Sequence, residues 1–343
     1  MWRLEYGGTV TMRLEQIQLT DWKEALQNQK CSPFHTAEAL EAIDKHTDAE
    51  MRLFAGFNGQ RPVALLPIFI KDVPIGKIVL SPPLGLGIRR LGPILMPASP
   101  KPSKREKINS KFAEQVIETV DADTMSTLFW VSCETEFRDP RPYKWAGFNV
   151  ESLYTYQLDL GSSTKEEVLN SFSRSLRREI KDGESGDIRI QRRGQAGAHD
   201  VYEATKDRYE EQDKTFDLSQ EFMFDLIEAL GDHAAVYVAE SADGEFLSGI
   251  IVLYSNDTAY FWKGGTRQEQ LDHNVNSLLH WNVITDIFED PSKESINKYD
   301  FSTANNRNIV QYKRKFGGKL ETYYRIESNS LPMTIAKRAY RLR

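Results

Sequence analysis

The chain has 343 residues, 40% of them hydrophobic, with 17 Phe, 14 Tyr and 6 Trp; this supports packed cores, excludes a wholly disordered protein and predicts two domains. Its 44 basic and 50 acidic residues give a net charge of −6, which argues against stable DNA binding but leaves room for a local anion site. No run approaches the roughly 18 uninterrupted apolar residues of a spanning helix, and residues 1–20 lack the apolar block of a secretory signal, so a cytoplasmic protein with at most peripheral membrane contact is expected. Two cysteines, Cys31 and Cys133, are too few for a disulfide framework and read as buried thiols, and the scattered histidines show no metal-ligand spacing.

Residues 1–11 are expected to be a dispensable extension, since Gly7-Gly8 disfavours order, with a first strand starting at Met12. Strands follow at 52–57 and 63–70, joined through the hairpin signal Asn58-Gly59, and at 77–80. A helix over 104–120, with Ile108, Phe112, Val116 and Val120 at four-residue spacing, leads to a strand at 126–132. Next comes Tyr143-Lys144-Trp145-Ala146-Gly147-Phe148 and an aromatic strand at 153–158. Residues 164–182 read as one helix, capped by Thr164 and striped by Val168, Phe172, Leu176 and Ile180; two more helices cover about 200–212 and 219–230.

The earlier order then returns: strands at 235–240, 246–254 and 258–262, a helix over 274–288, a strand at 296–302, the run Tyr312-Lys313-Arg314-Lys315-Phe316-Gly317 and a strand at 320–326. The chain reads as an internal duplication. The expected divisions are an extension (1–11), a first domain (12–160), a second domain (161–330) and a basic tail (331–343).

This element order resembles the GNAT acyltransferase fold in tandem. Tyr299-Asp300-Phe301, Tyr312-Lys313 and Phe316-Gly317-Gly318 resemble the end of the Fem family of aminoacyltransferases, which add amino acids from aminoacyl-tRNA to cell-wall precursors. The likeness covers most of the chain in element order, with its sharp motifs in the last third. It implies an α/β (α+β) protein of two tandem GNAT-like domains, each a mixed, mostly antiparallel sheet flanked by helices. The Lys of the Fem run Phe/Tyr-Lys-x-x-Phe-Gly lies near the transferred acyl group, and here that position is Lys313.

An acyl-CoA enzyme of GNAT type cradles the pyrophosphate on an Arg/Gln-x-x-Gly-x-Gly/Ala loop after its third consecutive strand. That junction here reads Lys263-Gly264-Gly265-Thr266-Arg267-Gln268-Glu269-Gln270-Leu271-Asp272 and lacks the motif. Two glycines and Thr266 can still bind an anion, but Glu269 and Asp272 would repel a diphosphate, and the first copy's turn at 81–87 carries Pro82 and Pro83, which donate no amide hydrogen. Acyl-CoA is therefore placed below another activated acyl donor, which the Fem resemblance implies is aminoacyl-tRNA, with no further cofactor.

Lys313 is the candidate catalytic cation, protonated at an ordinary pKa of about 10.4 and placed to stabilise an oxyanion; the plain alternative is a solvated lysine beside Arg314 and Lys315. Tyr312 is a further candidate substrate-binding residue, and it shares with Phe316 a helix face that can anchor Lys313. Asp300 can accept the proton of the attacking amine or cap the next helix. Tyr260 and Trp262 can stack on a substrate or fill the core. Arg174, Arg177, Arg178 and Lys181 can hold a phosphate-bearing envelope precursor or glycan, or an RNA end, or form a solvated face.

Lys101, Lys104, Arg105 and Lys107 read as a basic surface loop, and the tail residues Lys337, Arg338, Arg341 and Arg343 can touch RNA or anionic lipid or simply be mobile, with a tRNA acceptor end as a candidate partner of the chain. Three readings follow. They are a Fem-like transferase forming an amide on an envelope precursor or glycan, an acyl-CoA-dependent N-acyltransferase acting on an amino sugar or amino acid, and a non-catalytic envelope-binding module.

Overall fold

The structure is a computed structural model that describes residues 12–27, 29–74, 76–96, 99–267 and 275–329. The expected extension 1–11, the basic tail, Glu269, Asp272 and His273 lie outside these residues. In the first half, β1 (Met12–Ile17) leads through α1 (Leu19–Leu26) and α2 (Ala37–Lys45) into an antiparallel meander of β2 (Glu50–Asn58), β3 (Arg61–Val73) and β4 (Gly76–Ser81). Gly59 sits at φ +64° in the turn between β2 and β3, a conformation that glycine adopts without strain. The short β5 (Ile94–Leu95) pairs with β3.

Helix α3 (Pro102–Thr119) buries Ile108, Phe112 and Val116 against the sheet and crosses over to β6 (Thr127–Ser132), which runs parallel to β4. The basic residues Lys101, Lys104, Arg105 and Lys107 stand at the start of this helix rather than in a loop. Then α4 (Arg141–Trp145) and β7 (Asn149–Asp159) complete the first half.

The second half opens with α5 (Lys165–Ser171) and α6 (Arg174–Glu184), two helices where the periodicity predicts one. The break has a physical cause: the Ser173 hydroxyl accepts the Leu176 amide at 3.2 Å as an N-cap, and the Ser173 N–H donates outward to the Lys315 carbonyl at 2.8 Å. After β8 (Arg189–Arg193), α7 (Gln195–Glu210) and α8 (Gln220–Leu230) comes the second meander, β9 (Ala234–Glu240), β10 (Phe246–Tyr254) and β11 (Thr258–Thr266). Then α9 (Val275–Glu289) crosses over to β12 (Lys298–Asp300), parallel to β11, followed by α10 (Arg307–Lys313) and β13 (Lys319–Glu327).

The strands form one sheet in the order β1-β2-β3-β4-β6-β13-β7-β12-β11-β10-β9-β8. The two halves therefore mirror each other, three antiparallel neighbours and then a parallel step, around a shared centre in which β13 lies between β6 and β7 while β7 also pairs with β12. A core of Trp22, Leu40 and Ile43 from α1 and α2 with Phe222, Leu226 and Trp262 from the second half packs the halves together. The turn-rich stretch after β4 lies over this shared centre, against β6, β13 and β7.

Candidate active site

The site begins where a strand pair parts. β11 and β12 are paired only from Thr258/Lys298 to Tyr260/Asp300. Beyond that point β11 continues along β10 to Thr266, whereas the chain after Asp300 follows β7, with Phe301 N–H donating to Tyr156 O at 2.9 Å and Ala304 N–H to Tyr154 O at 2.7 Å. The gap is spanned by Lys313, whose ammonium donates to the carbonyl of Phe301 and, at 2.9 Å, to that of Thr303, and lies 5.6 Å from the centre of the Phe261 ring.

The packing of α10 explains this reach. Tyr312 and Phe316 pack at 5.4 Å around the buried His280, and Asn306 caps the helix by accepting the Asn308 amide at 2.9 Å. Lys313, about 100° around the helix from Tyr312, is thereby turned inward. It is buried rather than open to a polar cleft. Burial pulls its pKa down to about 7; Asp300 opposes that shift, while Arg89 and Arg90 add to it. Its repeat counterpart, Lys144, is exposed.

Asp300 is fully buried and does not cap α10. Its oxygens accept from Arg90 Nη2 at 2.9 Å, Gln157 Nε2 at 2.9 Å, Thr155 Oγ1 at 2.7 Å and the Ser302 N–H at 2.7 Å. Burial pushes its pKa up, but Arg90 and these hydrogen bonds hold it below the usual carboxylate value. A carboxylate so occupied is a poor proton acceptor, and its role is to fix the chain where β12 ends. Arg90 also meets Glu134 at 3.0 Å and lies 5.2 Å from the Tyr323 ring. One guanidinium thus serves two buried carboxylates, and burial raises Glu134 to about 7 against the pull of Arg90.

The remaining candidates are dispersed. Tyr260 lies 6.0 Å from Arg90 and lines a second cavity with Cys31, Glu134 and Asp257. Trp262 is a core residue: its indole N–H donates to Gly87 O at 3.1 Å and its ring meets Phe34 and Phe222 edge-on. Arg174, Arg178 and Lys181 are exposed on the outer side of α6, Arg177 is half-buried there, and Arg178 lies 3.8 Å from Asp182. Gly264, Gly265 and Thr266 belong to β11. A side chain at Gly265 would strike α7, and Thr266 shares hydrogen bonds with Ser248 and Asn276, so these residues serve strand packing rather than an anion loop. Cys133 is buried and Cys31 half-buried, both free thiols.

Sequence reasoning missed Arg89, Arg90 and Glu134 and treated Lys263 only as part of a junction. The visible signal was the Arg89-Arg90 pair closing the turn-rich stretch 81–92. That stretch crosses to the second half and walls a cleft of about 270 Å³ over β6, β13 and β7.

Residues 170–314 match the family model of the acetyltransferase (GNAT) domain. FemX superposes with a TM-score of 0.68 at 12% identity, covering 91% of this chain and 96% of that one. The chain has a Fem-like tandem GNAT fold. The C-terminal domain of a putative lysylphosphatidylglycerol synthetase from Agrobacterium fabrum is similar with a TM-score of 0.56 at 12% identity, covering 94% of this chain and 96% of that one. L-PGS from Bacillus licheniformis gives 0.51 at 14% identity, over 87% and 94%. No curated sequence matches the chain. By its matched domain the chain is of the acyltransferase class, built as two tandem GNAT-like domains.

Proposed function

We propose that the chain forms an amide by moving an aminoacyl group from aminoacyl-tRNA to an amine of a cell-envelope precursor or glycan, in the cleft between its halves. The observation that carries this reading is the gap between β11 and residues 301–304 with the Lys313 ammonium set in it. An ammonium has three N–H donors. Two hold Phe301 and Thr303, which leaves one for an incoming oxygen.

In the reaction the acceptor amine attacks the ester carbonyl, a C–N bond forms, and charge collects on the carbonyl oxygen. Lys313 stabilises that charge. The intermediate then collapses, the C–O bond to the ribose breaks, the amine loses a proton and the leaving oxygen gains one. A lysine drawn down to about 7 can exchange a proton near neutrality as well as carry charge. The fold shared with the putative lysylphosphatidylglycerol synthetase, named for a lipid product, supports an envelope acceptor.

The test is incubation of the purified chain with mixed aminoacyl-tRNA and extracted envelope precursors, read by mass spectrometry. An acceptor gaining one amino-acid residue mass supports the proposal. Acyl transfer only when acyl-CoA is added, with CoA raising the melting temperature, would replace it by the N-acyltransferase reading, which the GNAT domain match favours.

A further inference from the structure

The cleft over β6, β13 and β7 is lined by Arg89, Arg325, Glu151, Trp130, Gly85 and Gly87, among others. Its charges are unbalanced. Glu151 is taken by Arg325 at 3.2 Å, yet Arg325 Nε remains buried with no partner, and the Arg325 guanidinium lies over the Trp130 ring, 4.7 Å from its centre. Arg89 is exposed at the wall and meets no carboxylate among the described residues. Lys263 does not itself line this cleft but reaches its Gly87 wall from β11 of the other half, so close that a side chain at Gly87 would collide with its ammonium, and it too has no carboxylate partner among the described residues. Arg89 depresses the charge of both Lys263 and Lys313.

The loop that carries Arg89 adds backbone donors. Gly85 and Gly87 take positive φ of +81° and +64°, and beyond the hydrogen-bonded turn at Leu84-Gly85 the N–H groups from Gly87 to Arg90 meet no acceptor among the described residues. Alternation of this kind turns successive N–H groups toward one point, where an anion is favoured. Cations held together without counter-charge repel one another, and a bound anion relieves that cost. At about 270 Å³ the cleft is smaller than the roughly 300–1,000 Å³ of sites that enclose a whole drug-sized ligand, which suits a compact charged group.

We propose that Arg89 and Lys263, with the unpartnered Nε of Arg325, form a binding site for a compact oxyanion, a phosphate or a carboxylate. The identification of that oxyanion as part of the acyl acceptor rests on the acyltransfer reading; the binding itself does not. Arg89 comes from the first half and Lys263 from the second, so an occupied site ties the acceptor to both. This site is separate from the outer face of α6, where Arg174, Arg178 and Lys181 are exposed.

Isothermal calorimetry at low salt tests it, with inorganic pyrophosphate as the phosphate probe and succinate as the carboxylate probe. Saturable binding of either is expected, and the tighter probe names the source. Arg89→Ala and Lys263→Met should each weaken it about tenfold or more, the loss of one charged hydrogen bond, while melting temperatures stay near wild type. Arg178→Ala on α6 should leave it unchanged. No saturable binding of either probe, or affinities unchanged in both cleft variants, would overturn the proposal, as would a loss confined to Arg178→Ala. Binding that is lost in both cleft variants upholds the site even where no acyl transfer is found, in which case only the acyltransfer reading falls.

Discussion

Burial and the neighbouring arginines hold Lys313 near the point of losing its proton, so its charge at neutral pH depends on pH in a way an exposed lysine's does not. A role in stabilising an oxyanion needs the charged form, and single-turnover transfer should therefore slow as pH rises through about 7. Lys313→Met should slow it roughly 100-fold or more with acceptor affinity little changed, the pattern of a contact made in the transition state. Lys144→Met, at the exposed repeat position, should keep most activity. Equal rates for wild type and Lys313→Met, with both proteins folded by circular dichroism, would take Lys313 out of the mechanism. Glu134 offers a second test at this scale. Its folded pKa is raised from the ordinary 4.5 to about 7, so the stability it contributes is complete below about 4.5 and is lost as pH rises through about 7. Glu134→Gln has no such fall and should gain on wild type in urea unfolding across that window. His35 and His280, lowered from 6.5 to about 4 and about 3, act over part of the same window and Asp300 below it, but all three are present in both proteins and cancel in the comparison. A pH-independent difference would mean that Arg90 alone keeps Glu134 ionised.

At the scale of elements, local signals were legible where one residue decides the backbone. Asn58-Gly59 marked the turn between β2 and β3, and the second meander was visible from its alternating apolar runs and turn residues. The division of α5 from α6 was hidden because Val168, Phe172, Leu176 and Ile180 keep four-residue spacing straight across it, all four buried on the same side. Only a distant partner, the Lys315 carbonyl, shows that Ser173 has left the helix. Ser173→Ala removes the cap and should cost about 1 kcal/mol in urea unfolding; an unchanged midpoint would mean that the Lys315 contact alone positions α6. The candidate site followed the same rule. Lys313 was found through a run of neighbours in sequence, and its inward turn follows from the Tyr312 and Phe316 face. Arg90 and Glu134 lie far from Asp300 in sequence, and no periodicity connects them. Trp262, read as a platform, is enclosed by Phe34 and Phe222, residues of α2's approach and of α8 that spacing along one strand cannot bring into view.

For the whole molecule, the duplication was legible as a repeated order of elements, but the pairing at the centre was not, because a strand's sequence does not name its neighbour. The first half ends in sequence with β7, yet β7 has no hydrogen bonds to β6; β13 from the far end of the chain stands between them. On its other side β7 pairs with β12. A chain cut after residue 160 therefore gives a first half whose β6 has an open edge and whose β7 is detached, and a second half in which β13 and β12 have lost the strand that joins them. The shared core of α1 and α2 with α8 and Trp262 would be opened to water as well. Neither piece should fold alone, even though a boundary near 160 separates two GNAT-like repeats. Expressed separately, both fragments are expected to lack a cooperative thermal transition; mixed together, they should recover one, because the complementary strands and faces are again present. The intact chain should unfold in a single transition, with fluorescence and far-ultraviolet circular dichroism coinciding. A soluble 1–160 fragment with its own sharp transition, or two separated transitions in the intact chain, would show that the halves are independent and that the central exchange of β7 and β13 is not what holds the cleft together.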